Sequence, residues 1–208
     1  EFYTIMEDVQ IKDISELSFH FRVIGTFSDI DFLPDISSLE PFHVLESEIE
    51  DTQCLVISTR IGDEPSIDII GSLESKDFIK SRFDEVFNEI QIEEYDQLRI
   101  DAGVPAYGAE LTEDFNPLEA GLLPYISFNK GCYIGQEVVA RLNTYDKVQR
   151  KLAKFSWDGE HCELSGRDIE IEGRVVGVMT SSLCGLGMGF VRNAQAERGN
   201  VMTCDGIT

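Results

Sequence analysis

A cysteine placed between two glycines and just ahead of a helix is the feature of this sequence with the clearest chemical potential. In the stretch NKGCYIGQEVVARL, Lys130 precedes Cys132 by two residues. Apolar residues at helical spacing follow Gly135, which predicts a short helix beginning near Gln136. A helix N-terminus and a neighbouring cation both stabilise a thiolate, the reactive form of cysteine. The pattern therefore predicts that Cys132 is a reactive residue.

The two glycines of this stretch suggest an unusual backbone around the cysteine. Gly131 and Gly135 stand at positions where glycine supplies a positive φ or lets another group approach closely. The helix that follows is predicted to place Val138, Val139 and Leu142 on one side. Together these features predict a tight turn that leads into an amphipathic helix.

The other four cysteines are predicted to be buried and unreactive, because free cysteines are among the most buried residue types. An odd count with no CxxC spacing argues against a full disulfide framework and against a metal site. Cysteine usage therefore predicts a reducing cytoplasm. These four residues are Cys54, Cys162, Cys184 and Cys204.

Composition points to a globular chain without a membrane segment. The 208 residues are 42% hydrophobic, and no apolar run reaches the eighteen or so residues that a membrane span needs. The N-terminus also lacks the order of a signal peptide. We therefore predict a soluble cytoplasmic protein. The chain opens on Glu1 and closes on Thr208 in strand-like sequence, which predicts that it is part of a longer protein.

Charge is distributed unevenly along the chain, whose formal net charge is -22. Residues 1–129 carry 7 basic and 29 acidic side chains, whereas residues 130–154 carry 6 basic and 2 acidic ones. An acidic chain repels phosphate backbones, so no direct nucleic-acid binding is expected. The basic stretch could hold a small anion or form a solvated edge. We favour the solvated edge for Lys147, Arg150, Lys151 and Lys154.

The spacing of apolar residues predicts an α+β fold. Short runs rich in β-branched and aromatic residues predict strands at 18–25, 53–59 and 66–71. Three-to-four spacing predicts a helix within 74–90, and a second helix is predicted over 93–103. In the first of these helices, the predicted buried stripe is Phe78, Ile79, Phe83, Val86, Phe87 and Ile90.

The second part of the chain is predicted to be a small antiparallel β-barrel or sandwich, because short strands alternate with glycine-marked turns. We place a domain boundary near Arg150, which gives domains 1–150 and 151–208. The glycines of GLGMGF are interpreted as strand and turn glycines, since no helix pattern follows them. The acidic run ESEIED, residues 46–51, is predicted to be a solvated loop or edge.

A second polar position lies at the end of the second predicted helix, in the sequence LRIDAG. Arg99 could bind the carboxylate of a ligand through both of its terminal nitrogens. It could equally form an intramolecular salt bridge. The sequence leaves both interpretations open.

The stretches LRIDAGVPAYGAELTEDFNPLEAGL, ISFNKGCYIGQEVVARL and VQRKL closely resemble the YgfZ-type folate-binding proteins. These are relatives of the aminomethyltransferase, or T-protein, of the glycine cleavage system. The match is strong over 98–152 and looser on either side. The resemblance implies a T-protein-like folate-binding body followed by a small antiparallel β-barrel. It also implies tetrahydrofolate or a derivative as ligand, in a body that here lacks its N-terminal part.

The resemblance implies a tetrahydrofolate-binding protein that assists iron-sulfur cluster assembly or repair, and indirectly tRNA modification. Its partners would be folate and iron-sulfur client or assembly proteins, with no membrane contact. A folate-dependent aminomethyltransferase is the alternative, although the T-protein branch carries no cysteine at this position. A third hypothesis is a non-catalytic folate sensor that docks a partner through its acidic face.

The site residues that the resemblance implies fall in three groups. Cys132 is the functionally required residue, and no metal ligands are implied. The rest of the cysteine motif comprises Lys130, Gly131, Tyr133, Gly135, Gln136, Glu137 and Arg141. The folate cavity would be bordered by Arg99, Tyr107 and Glu110. Asp63 or the adjacent Glu64 would accept hydrogen bonds from the pterin edge.

Overall fold

The computed structural model describes residues 10–27, 30–34, 36, 39–145, 147–159 and 161–208. The chain divides into two compact units, Glu1–Gln91 and Ile92–Thr208, each built on an antiparallel sheet with short helices. The predicted α+β class is confirmed. In the described parts of the chain, no helix has the length and apolar character needed to cross a membrane.

The first unit is a four-stranded antiparallel sheet in the order β1-β4-β3-β2. The predicted strands are present, and one further strand, β2, covers part of the acidic run ESEIED at the edge of the sheet. A solvated edge was one of the two interpretations of that run. The elements are β1 (Ser18–Ile24), β2 (Val44–Ile49), β3 (Thr52–Ile61), β4 (Glu64–Ser72) and α1 (Lys76–Asp84).

Helix α1 packs on the core of the first unit through part of its predicted stripe. Ile79 and Phe83 are buried in that core, and Phe87 packs against it. The helix ends at Asp84, one to two turns before the stripe does. Val86 is therefore 54% exposed rather than buried.

The second unit is a five-stranded antiparallel sheet in the order β5-β8-β7-β6-β9 with two α-helices. Its edge strands are β5 and β9, so the sheet is open and the predicted closed barrel is not confirmed. The elements are α2 (Ile92–Asp101), α3 (Gln136–Thr144), β5 (Arg150–Ser156), β6 (Asp168–Ile171), β7 (Arg174–Leu183), β8 (Leu186–Arg192) and β9 (Thr203–Cys204).

The GLGMGF glycines lie in the turn before β8 and within that strand, as the sequence predicted. Gly185 has a φ of 79°, the left-handed conformation that a turn glycine adopts freely. A Cβ at Gly187 would lie 2.8 Å from the carbonyl oxygen of Ser181, so only glycine lets β8 approach β7 this closely.

The two compact units separate between Gln91 and Ile92, whereas the sequence predicted a boundary near Arg150. Backbone contacts explain the difference, because the segment after α2 binds the edge strand β5. The amide of Leu152 donates to the carbonyl of Glu119 at 2.9 Å. The functional division into a folate-binding domain and a barrel domain remains a prediction.

The structure corrects the prediction for two of the cysteines. Cys162 and Cys184 form a disulfide, so they are not free core residues. Cys162 lies in the loop between β5 and β6, and Cys184 in the turn between β7 and β8. They are 22 residues apart and have no recognisable spacing. Their pairing depends on the antiparallel sheet, which brings the loop and the turn together.

Candidate functional site

The motif cysteine lies on the surface, in the segment that leads into α3. We call residues 130–136 the Cys132 turn. Gly135 has φ 89° and ψ -4°, the values required at the third position of a type II turn. The amide of Gln136 closes this turn by donating to the carbonyl of Tyr133 at 3.3 Å. Of the two motif glycines, both described, only Gly135 has a positive φ.

Three motif side chains hold the turn around the cysteine. The amide of Tyr133 donates to Oε1 of Gln136 at 3.1 Å, so the first residue of α3 binds back to the turn. Nζ of Lys130 lies 5.2 Å from the centroid of the Tyr133 ring, within cation-π range. Cys132 itself is a free, exposed cysteine. The turn thus presents an accessible thiol next to a cation and an aromatic ring.

Helix α3 complements its own dipole with two further motif residues. Glu137 lies in the first turn and Arg141 in the last, where their charges are favourable. None of the nine residues of the helix, all described, is fully buried. Val138, on the predicted apolar side of the helix, is 52% exposed.

Several exposed apolar side chains lie close in sequence to the Cys132 turn. They include aromatic and aliphatic groups, and Lys130 and Arg141 belong to the same stretch of chain. Exposed aromatic side chains can stack against a flat ligand, and cations can bind acidic groups. The exposed apolar residues are Tyr125, Phe128, Tyr133, Ile134, Val138 and Tyr145.

Glu110 has a very different environment, since its carboxylate is 0% exposed and accepts four hydrogen bonds. Oε1 accepts from Oγ1 of Thr180 and from Oγ of Ser181, each at 2.6 Å. Oε2 accepts from the amide of Ala106 at 3.0 Å and from Nη1 of Arg99 at 3.3 Å. A buried carboxylate bound in this way stabilises the fold.

A β-bulge makes this arrangement of hydroxyl groups possible. Successive side chains of a regular strand point to opposite faces, so two neighbours do not normally reach the same atom. The pairing of β7 with β8 shifts register between Met179 and Ser181. Such a shift re-aims side chains. Thr180 and Ser181 can therefore both donate to Glu110.

Arg99 completes the buried network. The residue is 6% exposed, its Nη2 donates to Oγ of Ser181 at 3.1 Å, and its Nε donates to Oδ1 of Asp96 at 2.5 Å. The intramolecular salt bridge, one of the two alternatives from the sequence, is therefore present. A role at the border of a folate cavity remains a prediction for Arg99 and Glu110.

The other predicted folate residues are exposed. Tyr107 is 94% exposed in the loop after α2. Asp63 lies in the turn between β3 and β4, where its carbonyl accepts a hydrogen bond from Nη2 of Arg60 at 2.8 Å. Asp63 and Glu64 belong to the first unit, whereas Tyr107 belongs to the second. Their roles toward folate remain predictions.

Two of the six basic residues in the basic stretch pair with carboxylates of their own unit. Arg150 forms a salt bridge with Glu119 at 3.1 Å, and Lys154 forms one with Asp101 at the same distance. These pairs agree with the interpretation of this stretch as a solvated edge. In the described ranges, no group of three or more His, Cys, Asp or Glu side chains could hold a metal ion.

The first unit contains a cavity that sequence reasoning missed. It has a volume of about 730 Å³ and lies beside the β3–β4 hairpin, lined by Phe27, Leu33 and Arg60 among others. Its lining residues are scattered over three segments and form no motif, so no sequence signal pointed to it.

The α+β architecture of this chain has a counterpart among solved structures. The crystal structure of glycine cleavage system aminomethyltransferase T from Bartonella henselae matches it with a TM-score of 0.67. The match covers 83% of this chain and 50% of that chain, at 20% sequence identity. At this identity the likeness shows a shared fold.

Aminomethyltransferases are also found among the sequence relatives. A chloroplastic protein of Arabidopsis thaliana that carries the provisional name of transferase is 40% identical over 115 residues, 52% of this chain and 26% of that protein. An aminomethyltransferase of Caldanaerobacter subterraneus is 32% identical over 111 residues, 50% of this chain and 29% of that protein. The aminomethyltransferase of Alkaliphilus oremlandii is 27% identical over 184 residues, 84% of this chain and 50% of the enzyme.

These matches cover only part of the length of each relative. These sequence relatives are two aminomethyltransferases and one provisional transferase, and this chain spans between a quarter and half of their length. No protein-family model matches the chain.

Proposed function

We propose that this protein binds tetrahydrofolate or a derivative and assists iron-sulfur cluster assembly or repair, with Cys132 as its functional thiol. One observation carries the proposal. Of the three free cysteines, Cys54 and Cys204 are buried, whereas Cys132 is exposed in a turn built by glycine ahead of a helix. A core cysteine would not need this position, and a reactive one does.

The surface around the Cys132 turn has the chemical groups that a folate requires. A pterin ring and a benzoyl ring need aromatic or apolar faces, which Tyr133, Phe128 and Ile134 present to solvent. A glutamate tail needs cations, and Lys130 and Arg141 are exposed in the same stretch of chain. These side chains are of the types that a folate would need. Bound folate would supply one-carbon chemistry, while this chain would bind and orient it.

The thiol of Cys132 is the group that this chain contributes to chemistry. As a thiolate it could attack an electrophile or exchange with another sulfur. Support for such a role comes from its exposure, from Lys130 two residues before it and from the N-terminus of α3 four residues after it. The clients would be iron-sulfur proteins or their assembly factors.

A complementation assay tests the role of the thiol. Cys132→Ser in the full-length protein should abolish rescue of iron-sulfur enzyme activity in cells that depend on it. Ser127→Ala, an exposed change in the same loop, is the matched control and should rescue fully. Full rescue by Cys132→Ser would contradict the proposal.

Calorimetric titration with tetrahydrofolate tests the ligand. Lys130→Ala and Arg141→Ala should each weaken binding by about tenfold, the loss expected when one charge-assisted hydrogen bond to a carboxylate is removed. Lys76→Ala, an exposed change in the first unit, should leave affinity unchanged. Unchanged affinity in all three variants would show that Lys130 and Arg141 do not contact the folate.

A folate-dependent aminomethyltransferase is the second candidate, and the names of the relatives favour it. Formation of methylene-tetrahydrofolate from an aminomethyl donor decides between the two. We expect no turnover, because the cysteine at this motif position distinguishes the chain from the T-protein branch. Turnover that survives Cys132→Ser would favour the second candidate.

The cytoplasm is the location proposed from the sequence, and the chloroplastic name of the Arabidopsis relative provides an alternative. A fluorescent fusion of the full-length protein in its own cells distinguishes them. Signal spread through the cytoplasm would support the first, and signal confined to plastids the second.

A further inference from the structure

The disulfide of the second unit joins two surface segments, and one of its two cysteines is exposed. Cys184 is exposed in the turn between β7 and β8, whereas Cys162 is half-buried in the loop before β6. A cavity of about 550 Å³ opens beside Cys162 and is lined by Glu163, Arg167 and Ser182 among others. An incoming thiol can therefore reach the exposed Cys184, and the cavity leaves room for the released side chain of Cys162.

A second contact holds the same loop beside the disulfide. Oγ of Ser182 accepts hydrogen bonds from the amides of Leu164 at 2.9 Å and Ser165 at 3.1 Å. The same hydroxyl group donates to the carbonyl of Cys162 at 2.7 Å. The loop is thus attached to β7 and the turn after it by the disulfide, by the Ser182 hydroxyl group and by a backbone hydrogen bond from Gly166 to Met179 at 2.7 Å.

The end of β7 also hydrogen-bonds to the buried carboxylate of Glu110. Thr180 and Ser181 donate to Glu110, the next residue, Ser182, holds the loop, and Cys184 forms the disulfide. Neighbouring residues of one strand end therefore serve both the loop and the Arg99–Glu110 network. Increased disorder of this strand end would therefore weaken both the loop contacts and the Arg99–Glu110 network.

We propose that Cys184 is a thiol-disulfide exchange site for a dithiol reductant, and that reduction weakens the hydrogen bonds from β7 to Glu110. A thiolate of the reductant attacks Sγ of Cys184, and Sγ of Cys162 leaves as a thiolate that takes up a proton. The second thiol of the reductant then attacks the mixed disulfide, so Cys184 is released as a thiol and the reductant becomes a disulfide. The greater exposure of Cys184 directs the attack to its sulfur.

The single tryptophan of the chain reports on this event. The amide of Trp157 donates to the carbonyl of Gly185 at 3.1 Å, and its Nε1 donates to the carbonyl of His161 at 3.0 Å. Trp157 thus contacts both segments that the disulfide joins, through its backbone amide on one side and its indole on the other. Its fluorescence should change when they separate.

Reduction of the whole chain with dithiothreitol tests the proposal without any mutation. Alkylation and mass spectrometry should show new thiols at Cys162 and Cys184, accompanied by a change in Trp157 fluorescence. Hydrogen exchange should become faster for residues 162–166 and for the amide of Ala106, which binds Glu110. The increase at Ala106 should be about fivefold or more, the lower limit of typical coupling between sites.

Two outcomes would overturn the proposal. One is a disulfide that resists dithiothreitol in the folded protein. The other is complete reduction with unchanged exchange at Ala106. The double variant with Cys162→Ser and Cys184→Ser should reproduce the exchange pattern of the reduced wild-type protein, and if it does not fold, reduction of the wild-type protein still decides. All these measurements use protein without ligand, so failure of folate binding would leave their result unaffected.

Discussion

Two regions of the second unit, the Arg99–Glu110 network and the Cys132 turn, differ in burial and in the contacts that hold them. The Arg99–Glu110 network is buried, and its carboxylate accepts four hydrogen bonds. The Cys132 turn is exposed and is held by a glycine conformation, one side-chain amide and a cation-π contact. The first region uses its polar groups to hold the fold. The second leaves a thiol free for chemistry.

This difference separates two kinds of motif residue. Removing a residue from the buried network should cost folding stability, because its partners would remain buried without compensation. Removing the thiol of Cys132 should cost activity while leaving folding almost unchanged. Changes in the buried network are therefore predicted to reduce stability, and the loss of the Cys132 thiol to reduce activity.

The largest effect is expected for Glu110→Ala. The change removes the buried acceptor that Arg99, Ser181 and the Ala106 amide share, although Asp96 stays paired with Arg99, and it should lower the free energy of unfolding by about 3–5 kcal/mol. Urea denaturation of the full chain measures this. Glu113→Ala, an exposed change three residues later, should cost less than about 0.5 kcal/mol. Equal costs for the two changes would contradict the structural role of Glu110.

Removal of the disulfide is expected to cost somewhat less. Cys162 and Cys184 close a loop with a sequence separation of 22 residues. Loss of that constraint should destabilise the second unit by about 3 kcal/mol. Urea denaturation with and without dithiothreitol gives the difference, and the Cys162→Ser, Cys184→Ser double variant should lose this dependence on reductant. A free energy of unfolding that does not respond to reductant would show that the disulfide does not constrain the unfolded chain.

Asp68 in the first unit provides a second buried carboxylate bound by an arginine, at 2.6 Å from Nε of Arg22. Burial alone would raise the pKa of Asp68, but hydrogen bonds from Arg22 and the charges of Arg22 and His20 outweigh it and hold the pKa below its ordinary value. A depressed pKa gives stability that is present above the unfolded-state value of about 4 and is lost as pH falls through the folded-state value.

Asp68→Asn should therefore remove part of the loss of stability in acid. It should also cost about 2 kcal/mol near neutral pH, the typical contribution of a hydrogen bond to a charged group. Denaturation midpoints from pH 7 to pH 2 check both effects. Asp77→Asn, an exposed change in α1, is the control. An unchanged acid profile in Asp68→Asn would show that this carboxylate does not contribute to acid unfolding.

The sequence predicted those features that depend on local patterns. Period-two runs predicted β1, β3 and β4, and the start of α3 followed from the glycine and the apolar spacing after it. Local spacing could not predict the environment of Glu110, because its hydroxyl partners are 70 and 71 residues away and reach it only through a β-bulge.

The disulfide was missed for a related reason. An odd number of cysteines without regular spacing contains no information about which two the sheet brings together. Periodicity likewise identifies an apolar stripe but not whether anything packs on all of it, and Val86 of the stripe predicted to be buried is 54% exposed.

The smallest effect on stability is expected for Cys132→Ser, with a change of less than about 0.5 kcal/mol at an exposed site. Thiol labelling of the wild-type protein should modify Cys132 first. Burial raises the pKa of the Cys54 and Cys204 thiols, with Asp205 adding to the shift at Cys204, so both should react slowly. Mass spectrometry after brief alkylation gives the order. Labelling of Cys54 or Cys204 before Cys132 would contradict this prediction.

Alkylation of Cys132 in the presence of tetrahydrofolate tests the central claim most directly. With the ligand at about ten times its Kd, the labelling rate of Cys132 should fall about tenfold, because only the unliganded fraction would react. The slow labelling of Cys54 and Cys204 should stay the same. An unchanged rate at Cys132 under saturating tetrahydrofolate would contradict the account that this turn lies in the folate site.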